Sequence, residues 1–462
     1  MVSFKQKNMK AGFKYLSYIL LGATIAAAVA CNKKLDVLPG AQITPDQIRN
    51  GDDVKATLAG GYSSLQNASA YGEQYLSVPE LLANTNIRWV GTFATYRDVA
   101  LKQQVVTLAL ATDIWNRGYK TINTMNLVLS KLNLLSAAEQ AVIGGEAKFL
   151  RAITYFELAG MFGKPYSAGN ITTNVTVPIV LTPIISDDQV PAGTQPRASV
   201  DDLYKQVISD LKDAAATLPA GNGVKANKFS AFAFLARVYL AQGNYALAAA
   251  SADSVISKGG FSLTSSFDKE FNNAGVWSSE DIFAIIQNAQ SNAGTTNNGL
   301  VTFFAPKPFG RGDIAVQPSQ LALYDDGDAR KEYYQANAQN TIFYTKKWSV
   351  LYGTIPVVRL AEMYLTRAEA NLQNNSSIGA TPLDDVNRVR DRSKAGILSA
   401  VTVNDVVAER ERELAFEGDL FRTVKRLKKN VGNRPYDDNK LVLPVPQRER
   451  DVNPKLSQNP GY

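Results

Sequence analysis

The side chains that usually carry enzyme chemistry are scarce in this sequence. Its 462 residues contain no histidine and one cysteine, Cys31. Catalytic Ser-His-Asp and Cys-His groups, zinc sites built on histidine or cysteine, and haem ligation by histidine are therefore excluded. Acid–base chemistry by two carboxylates, as in glycosidases, and calcium binding by oxygen ligands stay open. This composition favours binding over catalysis, and we predict no catalytic residue, no metal site and no cofactor.

Cys31 has a different kind of chemistry, because it directly follows a signal-peptide pattern. Lysines at positions 5, 7, 10 and 14 precede an apolar run over 15–30 that ends in small residues. The run is too short for a membrane-spanning helix, which needs about 20 apolar residues. Residues 1–30 are therefore predicted to be a secretory signal peptide, and Cys31 stands where bacterial lipoproteins attach diacylglycerol. Cleavage by an ordinary signal peptidase, which would give a secreted protein without an anchor, is the alternative.

Loss of the predicted signal peptide changes the charge of the chain. The formal net charge of the whole sequence is +7, and removal of four lysines without any acid reduces it to about +3. A nearly neutral mature chain gives no electrostatic argument for nucleic-acid binding. The basic run at 425–429 is interpreted as a helix end, where cations are favourable. We expect no nucleic-acid partner and no disulfide bond.

Three stretches with helical periodicity account for most of the predicted regular structure. They cover about 114–162, 200–258 and 357–426. The breaks within them are short, which predicts antiparallel helix pairs.

One of these pairs follows the spacing of a tetratricopeptide repeat unit. The matching residues are Leu235, Ala236, Tyr239, Gly243, Tyr245 and Ala248. We predict helices over about 227–242 and 245–258 that pack closely around Tyr239 and Ala248. An ordinary helical hairpin is the alternative.

Two irregular inserts separate the helical stretches. Residues 163–199 contain five prolines with Val, Ile and Thr runs, and residues 259–355 are rich in glycine, asparagine and aromatic side chains. The segment 281–287 has the pattern of a strand. Long inserts of this kind commonly carry the binding site.

Short charged motifs give weaker signals. Arg311-Gly312-Asp313 matches an adhesion tripeptide, but three residues recur by chance, and a glycine turn is our interpretation. Residues 325–328 lack the alternating acids and the distal glutamate of a calcium loop. The sequence EREREL at 409–414 alternates in sign and predicts an exposed, salt-bridged helix face.

That charged segment also carries a resemblance to a known family. Residues 409–418, ERERELAFEG, resemble the ER-x-x-ELAFEG signature of the SusD-like (RagB/SusD) lipoproteins. The C-terminus is similar to the ending typical of that family, with LPVPQ at 443–447, NP at 453–454 and QNPGY at 458–462. Further matches, in the order of the family, are KFLRA at 148–152, DAR at 328–330, RLAE at 359–362 and RAEA at 367–370. The resemblance spans nearly the whole mature chain.

The resemblance implies both a fold and a role. The implied fold is mainly α, with tetratricopeptide-like helix pairs packed against a loop-rich, partly extended region, and residues 31–462 would form one nutrient-binding domain. Such proteins are lipid-anchored in the outer membrane and face the cell surface. They capture oligosaccharides, less often peptides or other nutrients, for a SusC-like TonB-dependent transporter, without chemistry. The signature motifs of the family are mainly structural and do not mark the ligand site.

Candidate ligand-binding residues follow from the chemistry of a sugar ring. Its apolar C–H faces stack on aromatic side chains, and amides and carboxylates bond to its polar rim. The segment 84–96 offers this mixture where regular periodicity lapses, and Trp89 is the leading candidate. The predicted ligand-binding residues are Asn86, Arg88, Trp89, Phe93, Tyr96, Trp277 and Phe304.

Two functions of other classes stay open. A surface glycosidase would need two inward-facing carboxylates roughly 5 to 10 Å apart, and no such pair can be derived from the sequence. A helical-repeat scaffold that binds only protein partners would need no aromatic-lined cleft.

Overall fold

The computed structural model of the protein describes residues 47–462, so the predicted signal peptide and Cys31 lie outside the described residues. About half of the structure is helical. The α-helices are α1 (Gly51–Gln66), α2 (Gln74–Ala83), α3 (Ala94–Ala100), α4 (Ala109–Ser130), α5 (Ala137–Phe162), α6 (Val190–Gly193), α7 (Val200–Thr217), α8 (Lys228–Gln242), α9 (Tyr245–Lys258), α10 (Leu300–Phe304), α11 (Pro318–Leu321), α12 (Leu360–Gln373), α13 (Pro382–Arg392), α14 (Val403–Glu413), α15 (Asp419–Arg426) and α16 (Gln447–Val452). Over residues 47–462, every helix falls short of the length or apolar character needed to cross a bilayer.

The long helices pack in series. Helix α4 contacts α5, α5 contacts α7, α7 contacts α8, and α8 contacts α9. Helix α9 then packs against α12, which also contacts α13 and α14. The predicted mainly α fold, with tetratricopeptide-like helix pairs, is confirmed.

The α8–α9 pair shows why the chain breaks where it does. Asn227 caps α8, because its side chain accepts hydrogen bonds from two backbone N–H groups of the first turn. Gly243 ends that helix in the left-handed conformation, at a φ of 73°, which a residue without a Cβ adopts at little cost. Tyr239 and Ala248 are both buried, and α8 and α9 contact each other. The observed helix bounds lie within one residue of the predicted ones, and close packing at Tyr239 and Ala248 stays a prediction.

Two small antiparallel sheets come from the loop-rich part of the chain. The strands are β1 (Ile87–Trp89), β2 (Asp281–Ile285), β3 (Ile314–Val316), β4 (Tyr334–Ala336), β5 (Phe343–Thr345) and β6 (Ile355–Arg359). One sheet has the order β1-β3-β5-β4, and the other pairs β2 with β6. The strand predicted at 281–287 is thus observed as β2, and β6 runs directly into α12.

Phenylalanine side chains join the helices to the second sheet. The Phe149 ring on α5 meets Phe234 of α8 edge to face at 5.5 Å, and Phe283 of β2 at 5.1 Å. All three rings are fully buried. The core therefore continues from the helix pairs into the loop-rich region.

Helices α1 and α2 lie outside the three predicted helical stretches. Every residue of α2 is buried, including Pro79 and three polar residues, so this helix has no solvent-exposed face of the kind that marks an amphipathic helix. Helix α1 contains the pair Gly60-Gly61, which lowers intrinsic helix propensity. Asn50 caps α1, and burial stabilises α2. Neither feature produces a periodic pattern of apolar residues in the sequence.

The charged segment at 409–414 corrects a prediction. Glu409, Arg410 and Glu413 are buried, so the predicted exposed face is wrong. The Arg330 guanidinium lies 2.6 Å from the Glu409 carboxylate and 2.9 Å from that of Glu413. Arg359 lies 2.6 Å from Glu413. These buried arginines neutralise the acids, and we call Arg330, Arg359, Glu409, Glu413 and Glu417 the signature network.

Candidate ligand-binding site

The segment around Trp89 is held between a helix and a sheet edge. Strand β1 follows the buried helix α2 after three residues and forms one edge of its sheet. Trp89 is in register with Ile314 of β3, which fixes the position of the indole. Four residues later the chain enters α3, which brings Tyr96 back towards the strand.

Four aromatic rings meet at this point, and we call Trp89, Phe93, Tyr96 and Phe303 the Trp89 cluster. The Trp89 and Tyr96 rings stack at 4.9 Å with planes 12° apart. Phe303 of α10 meets the edge of Trp89 at 5.5 Å and of Phe93 at 6.2 Å. Tyr96 and Phe303 are buried, whereas Trp89 and Phe93 are half-buried. The cluster thus has a rigid base and two partly exposed rings.

Arg311 adds a charged group beside the exposed rings. Its guanidinium carbon lies 4.5 Å from the centre of the Phe93 ring, within the range of a cation–π contact. Its Nε lies 3.0 Å from an oxygen of Asp313. A Cβ on Gly91 would lie 2.4 Å from the Asp313 side chain, so glycine is required for this close approach.

A buried carboxyl group supports the cluster from below. The Tyr96 hydroxyl donates a hydrogen bond of 2.8 Å to Glu73, which is fully buried. Glu73 also accepts hydrogen bonds from the Ser77 hydroxyl and the Gly299 backbone. Burial raises the pKa of Glu73 to about 7, because these neutral donors offset only part of the lost hydration. Glu73 ties α2, α3 and the approach to α10 together.

Polar side chains line the loop before α10. Residues 294–298 are exposed and include two threonines and two asparagines. The Asn297 amide oxygen accepts a hydrogen bond from Arg311 at 3.2 Å, which places this loop next to Phe93. The exposed rings therefore have amides, hydroxyls and a guanidinium at their rim.

A second pocket borders the same segment. It is lined by Asn272, Gln287, Trp348, Tyr352 and the start of α10. Trp348 is buried, and its indole nitrogen has no acceptor among residues 47–462. Tyr352 has a φ of 63°, an uncommon conformation for a bulky residue. This pocket therefore adjoins the Trp89 cluster at α10, the helix that carries Phe303.

The structure brings together three of the predicted ligand-binding residues, namely Trp89, Phe93 and Tyr96. Arg88 is exposed, and alternation along the strand directs it away from the face that carries Trp89. The Asn86 amide donates a hydrogen bond to Glu411 at 3.3 Å.

The other two predicted aromatics lie apart from the cluster. Trp277 is half-buried and meets Phe283 edge to face at 6.1 Å. Phe304 is fully buried against Phe416, with ring centres 5.7 Å apart. Phe304 therefore offers no exposed ring face to a ligand.

Phe303, the neighbour of the predicted Phe304, lies in the cluster, and Arg311 and Asp313 are site residues that the sequence interpretation missed. Both belong to the tripeptide that we interpreted as a glycine turn. The turn is present, since Gly312 has a φ of 66°, and a Cβ there would lie 2.7 Å from the Tyr344 ring. The sequence signal for these two residues was the pair of opposite charges that flanks Gly312, and the turn brings the two charges together.

Two family models match the chain. One, described as starch-binding associating with the outer membrane, matches residues 35–240, and the model of the SusD family matches residues 334–439. The chain belongs to the SusD-like (RagB/SusD) family. Phe303, Arg311 and Asp313 lie between the two matched ranges, so this SusD-family protein builds its candidate site partly from a segment that neither of these models matches.

Similar proteins cover nearly the whole chain. SusD-like protein P2 of Formosa agariphila is 26% identical, over 97% of this chain and 99% of the relative. The solved structure of a SusD superfamily protein from Bacteroides vulgatus has a TM-score of 0.79 at 21% identity, covering 90% of this chain and 100% of that one. A solved laminarin-binding SusD-like protein has a TM-score of 0.74 at 22% identity, with the same coverage. These structures share the fold.

Proposed function

We propose that this protein binds a carbohydrate at the Trp89 cluster and delivers it for uptake without chemical change. One observation carries the proposal: the half-buried Trp89 ring is held rigidly on Tyr96 beside exposed polar groups. A rigid aromatic surface offers apolar area to a sugar face at low entropic cost.

The rim of the cluster suits the hydroxyl groups of a sugar. Arg311 is half-buried and donates to Asn297 and, at 3.3 Å, to the Thr92 hydroxyl. Its remaining donor capacity and the exposed amides of the 294–298 loop match a ligand that both donates and accepts hydrogen bonds. Residues of this kind around a small number of rings are typical of ligand sites.

The similar proteins support a carbohydrate over other nutrients. The family model that matches residues 35–240 is described as starch-binding, and one structural neighbour binds laminarin. These descriptions belong to those proteins, and their shared chemistry is a neutral glucan. We therefore propose an oligosaccharide as the ligand class.

The surroundings of two acids next to the Trp89 cluster, Glu73 and Asp313, support binding without catalysis. Glu73 is fully buried and accepts three hydrogen bonds, and Asp313 is buried and paired with Arg311. Neither carboxyl group is exposed at the aromatic surface, where a glycosidase would need its acid and nucleophile.

The proposed location and partner rest on the sequence. We propose that residues 1–30 are removed, that Cys31 is acylated in the outer membrane, and that residues 31–462 form a cell-surface nutrient-binding domain. The proposed partner is a SusC-like TonB-dependent transporter. Co-purification of a large outer-membrane protein with the wild-type chain is the expected result, and its consistent absence after mild solubilisation would contradict the partnership.

A ligand panel tests the binding proposal. The purified full-length protein is titrated with laminarin, starch and other soluble glycans, and with a peptide mixture as the alternative. We expect binding to one glycan class and a loss of about 1 to 3 kcal/mol in Trp89→Ala, as for a central interface residue. Trp89→Phe is the matched control, because the indole nitrogen has no acceptor among the described residues and the stacked ring is kept.

Three outcomes would contradict the proposal. Binding of peptides but no glycan would change the ligand class. Equal glycan affinity of Trp89→Ala and the wild type would move the site elsewhere. Cleavage of a bound oligosaccharide would make the protein an enzyme.

A further inference from the structure

A second, chemically different pocket lies in the helical scaffold. It is an open pocket between α15 and the end of α5. Its walls include Phe156, Lys164, Tyr204, Phe421, Arg422 and Lys425. None of the four rings of the Trp89 cluster lines it. We call it the Lys425 pocket.

Lys425 is a buried lysine whose amino group has few acceptors in the protein. Its residue is 5% exposed, and its amino group donates to the Gly160 carbonyl at 3.1 Å. The same nitrogen lies 3.9 Å from the centre of the Phe421 ring. An ammonium group carries three donors, and within residues 47–462 only this one acceptor bonds to it.

Lys347 shows how the same protein satisfies a buried lysine elsewhere. Its ammonium donates to the carbonyl groups of Glu413 and Ala415 at 3.0 and 2.8 Å. It also pairs with the Glu417 carboxylate at 2.5 Å. Lys347 thus has three hydrogen-bond acceptors, one of them a carboxylate, whereas Lys425 has a single neutral acceptor among the described residues.

The surroundings of Lys425 add positive charge. Arg422 keeps a buried Nε without a hydrogen-bond partner in the described chain, while its Nη1 lies 3.3 Å from the Glu157 carboxylate. Lys164 is held by a backbone carbonyl and the Asn439 amide. Burial, followed by the charge of Lys164, lowers the pKa of Lys425 well below its ordinary value. The wall thus has four cationic side chains, Lys164, Arg422, Lys425 and Arg426, and one acid, Glu157, which already pairs with Arg422.

We infer that the Lys425 pocket binds the carboxylate of a small organic acid with an apolar body. The carboxylate would accept hydrogen bonds from Lys425 and Arg422, and charge-assisted hydrogen bonds of this kind are the stronger ones. The apolar body would lie against Phe421, Phe156 and Tyr204, which supply aromatic area around the cations. This site is independent of the proposed glycan site.

Benzoate and benzamide test the inference, because they share a ring and differ in charge. In calorimetric titration of the purified full-length protein we expect benzoate to bind and benzamide to bind at least roughly tenfold more weakly, as expected when charge-assisted hydrogen bonds are lost. Lys425→Met keeps the length of the side chain and should weaken benzoate to the same extent. Lys331→Met, at a half-buried surface site in an unrelated segment, is the control and should leave benzoate affinity unchanged.

Each other result counts against the inference. Equal affinity for benzoate and benzamide, or unchanged benzoate affinity in Lys425→Met, would overturn it, as would no benzoate binding at millimolar concentration. If Lys425→Met does not fold, Lys164→Met replaces it, since Lys164 is half-buried at the pocket wall. That variant should bind benzoate several-fold more weakly and benzamide unchanged, and unchanged benzoate affinity would again overturn the inference.

Discussion

Glu413 in the signature network and Glu73 beneath the Trp89 cluster are both fully buried glutamates, yet their surroundings differ. Burial alone would raise the pKa of Glu413, but the guanidinium groups of Arg392, Arg359 and Arg330 lower it well below its ordinary value. Glu73 has only hydroxyl and backbone donors, and burial raises its pKa to about 7. The signature network therefore compensates charge with charge, whereas the buried base of the Trp89 cluster is held together by neutral hydrogen bonds and ring contacts.

The signature network maintains the fold, whereas the Trp89 cluster is the region proposed to contact a ligand. The signature network joins β6, α14 and the segment before β4 through buried ion pairs, and none of its members is exposed. The Trp89 cluster exposes two of its four rings and one flanking arginine. Changes in the first region should affect stability, and changes at the rim of the second should affect binding.

The largest effect is expected from breaking the signature network. Arg359→Met removes a fully buried guanidinium group that pairs with both Glu413 and Glu417. Loss of one partner of a buried ion pair typically costs about 3 to 5 kcal/mol. Urea unfolding measures the free energy. Arg97→Met, at a largely exposed position, is the control, and a loss below about 1 kcal/mol in Arg359→Met would show that the network is not needed for stability.

Glu73→Gln should remove a pH dependence of stability. Because the pKa of Glu73 is raised to about 7 in the folded protein, the folded state keeps a proton that the unfolded chain releases near pH 4.5. Stability from this group is therefore complete at low pH and is lost as pH rises to about 7, by up to about 3 kcal/mol. Unfolding free energies at pH 5 and pH 8 should differ less in Glu73→Gln than in the wild type. Equal differences would mean that Glu73 is charged throughout.

Ala248→Leu tests the helix pair by overpacking. Ala248 on α9 is fully buried, and added side-chain volume in a close-packed core typically costs about 1 to 3 kcal/mol. Ala250→Leu places the same side chain at an exposed position of the same helix. A lower melting temperature in the first variant alone is expected, and equal melting temperatures would contradict the close packing.

The smallest change in stability is expected at the rim of the site. Arg311→Met keeps side-chain bulk over Phe93 and removes a half-buried ion pair, so the unfolding free energy should fall by less than about 1 kcal/mol. Glycan affinity should nevertheless weaken roughly fivefold or more, since charged hydrogen-bond donors are lost. A variant with lower stability and unchanged affinity would assign Arg311 to the scaffold.

The sequence predicted the local features of the fold well. The α8–α9 pair could be placed because its cap, its terminal glycine and its small residues are all neighbours in the chain. The signature network could not be predicted from the sequence, because alternating charges at 409–413 suit an exposed helix and a buried one equally. Arginines from other segments of the chain, among them Arg330 and Arg359, decide between the two.

The candidate site shows the same limit. Trp89, Phe93 and Tyr96 are close in sequence, and their grouping could be predicted. Phe303 and Arg311 join them from more than 200 residues away, and strand pairing between β1 and β3 brings them together. Of the adjacent candidates Phe303 and Phe304, the sequence could not show which ring faces the cluster, because a short helix directs neighbouring side chains differently.

A crystal structure of the protein with the glycan identified by the ligand panel would show directly whether the Trp89 cluster binds the sugar. We predict a sugar ring stacked on Trp89 or Phe93, with its hydroxyl groups bonded to Arg311 or to the 294–298 loop. A glycan bound in the Lys425 pocket, or at any surface that lacks contact with the Trp89 cluster, would contradict binding at the cluster.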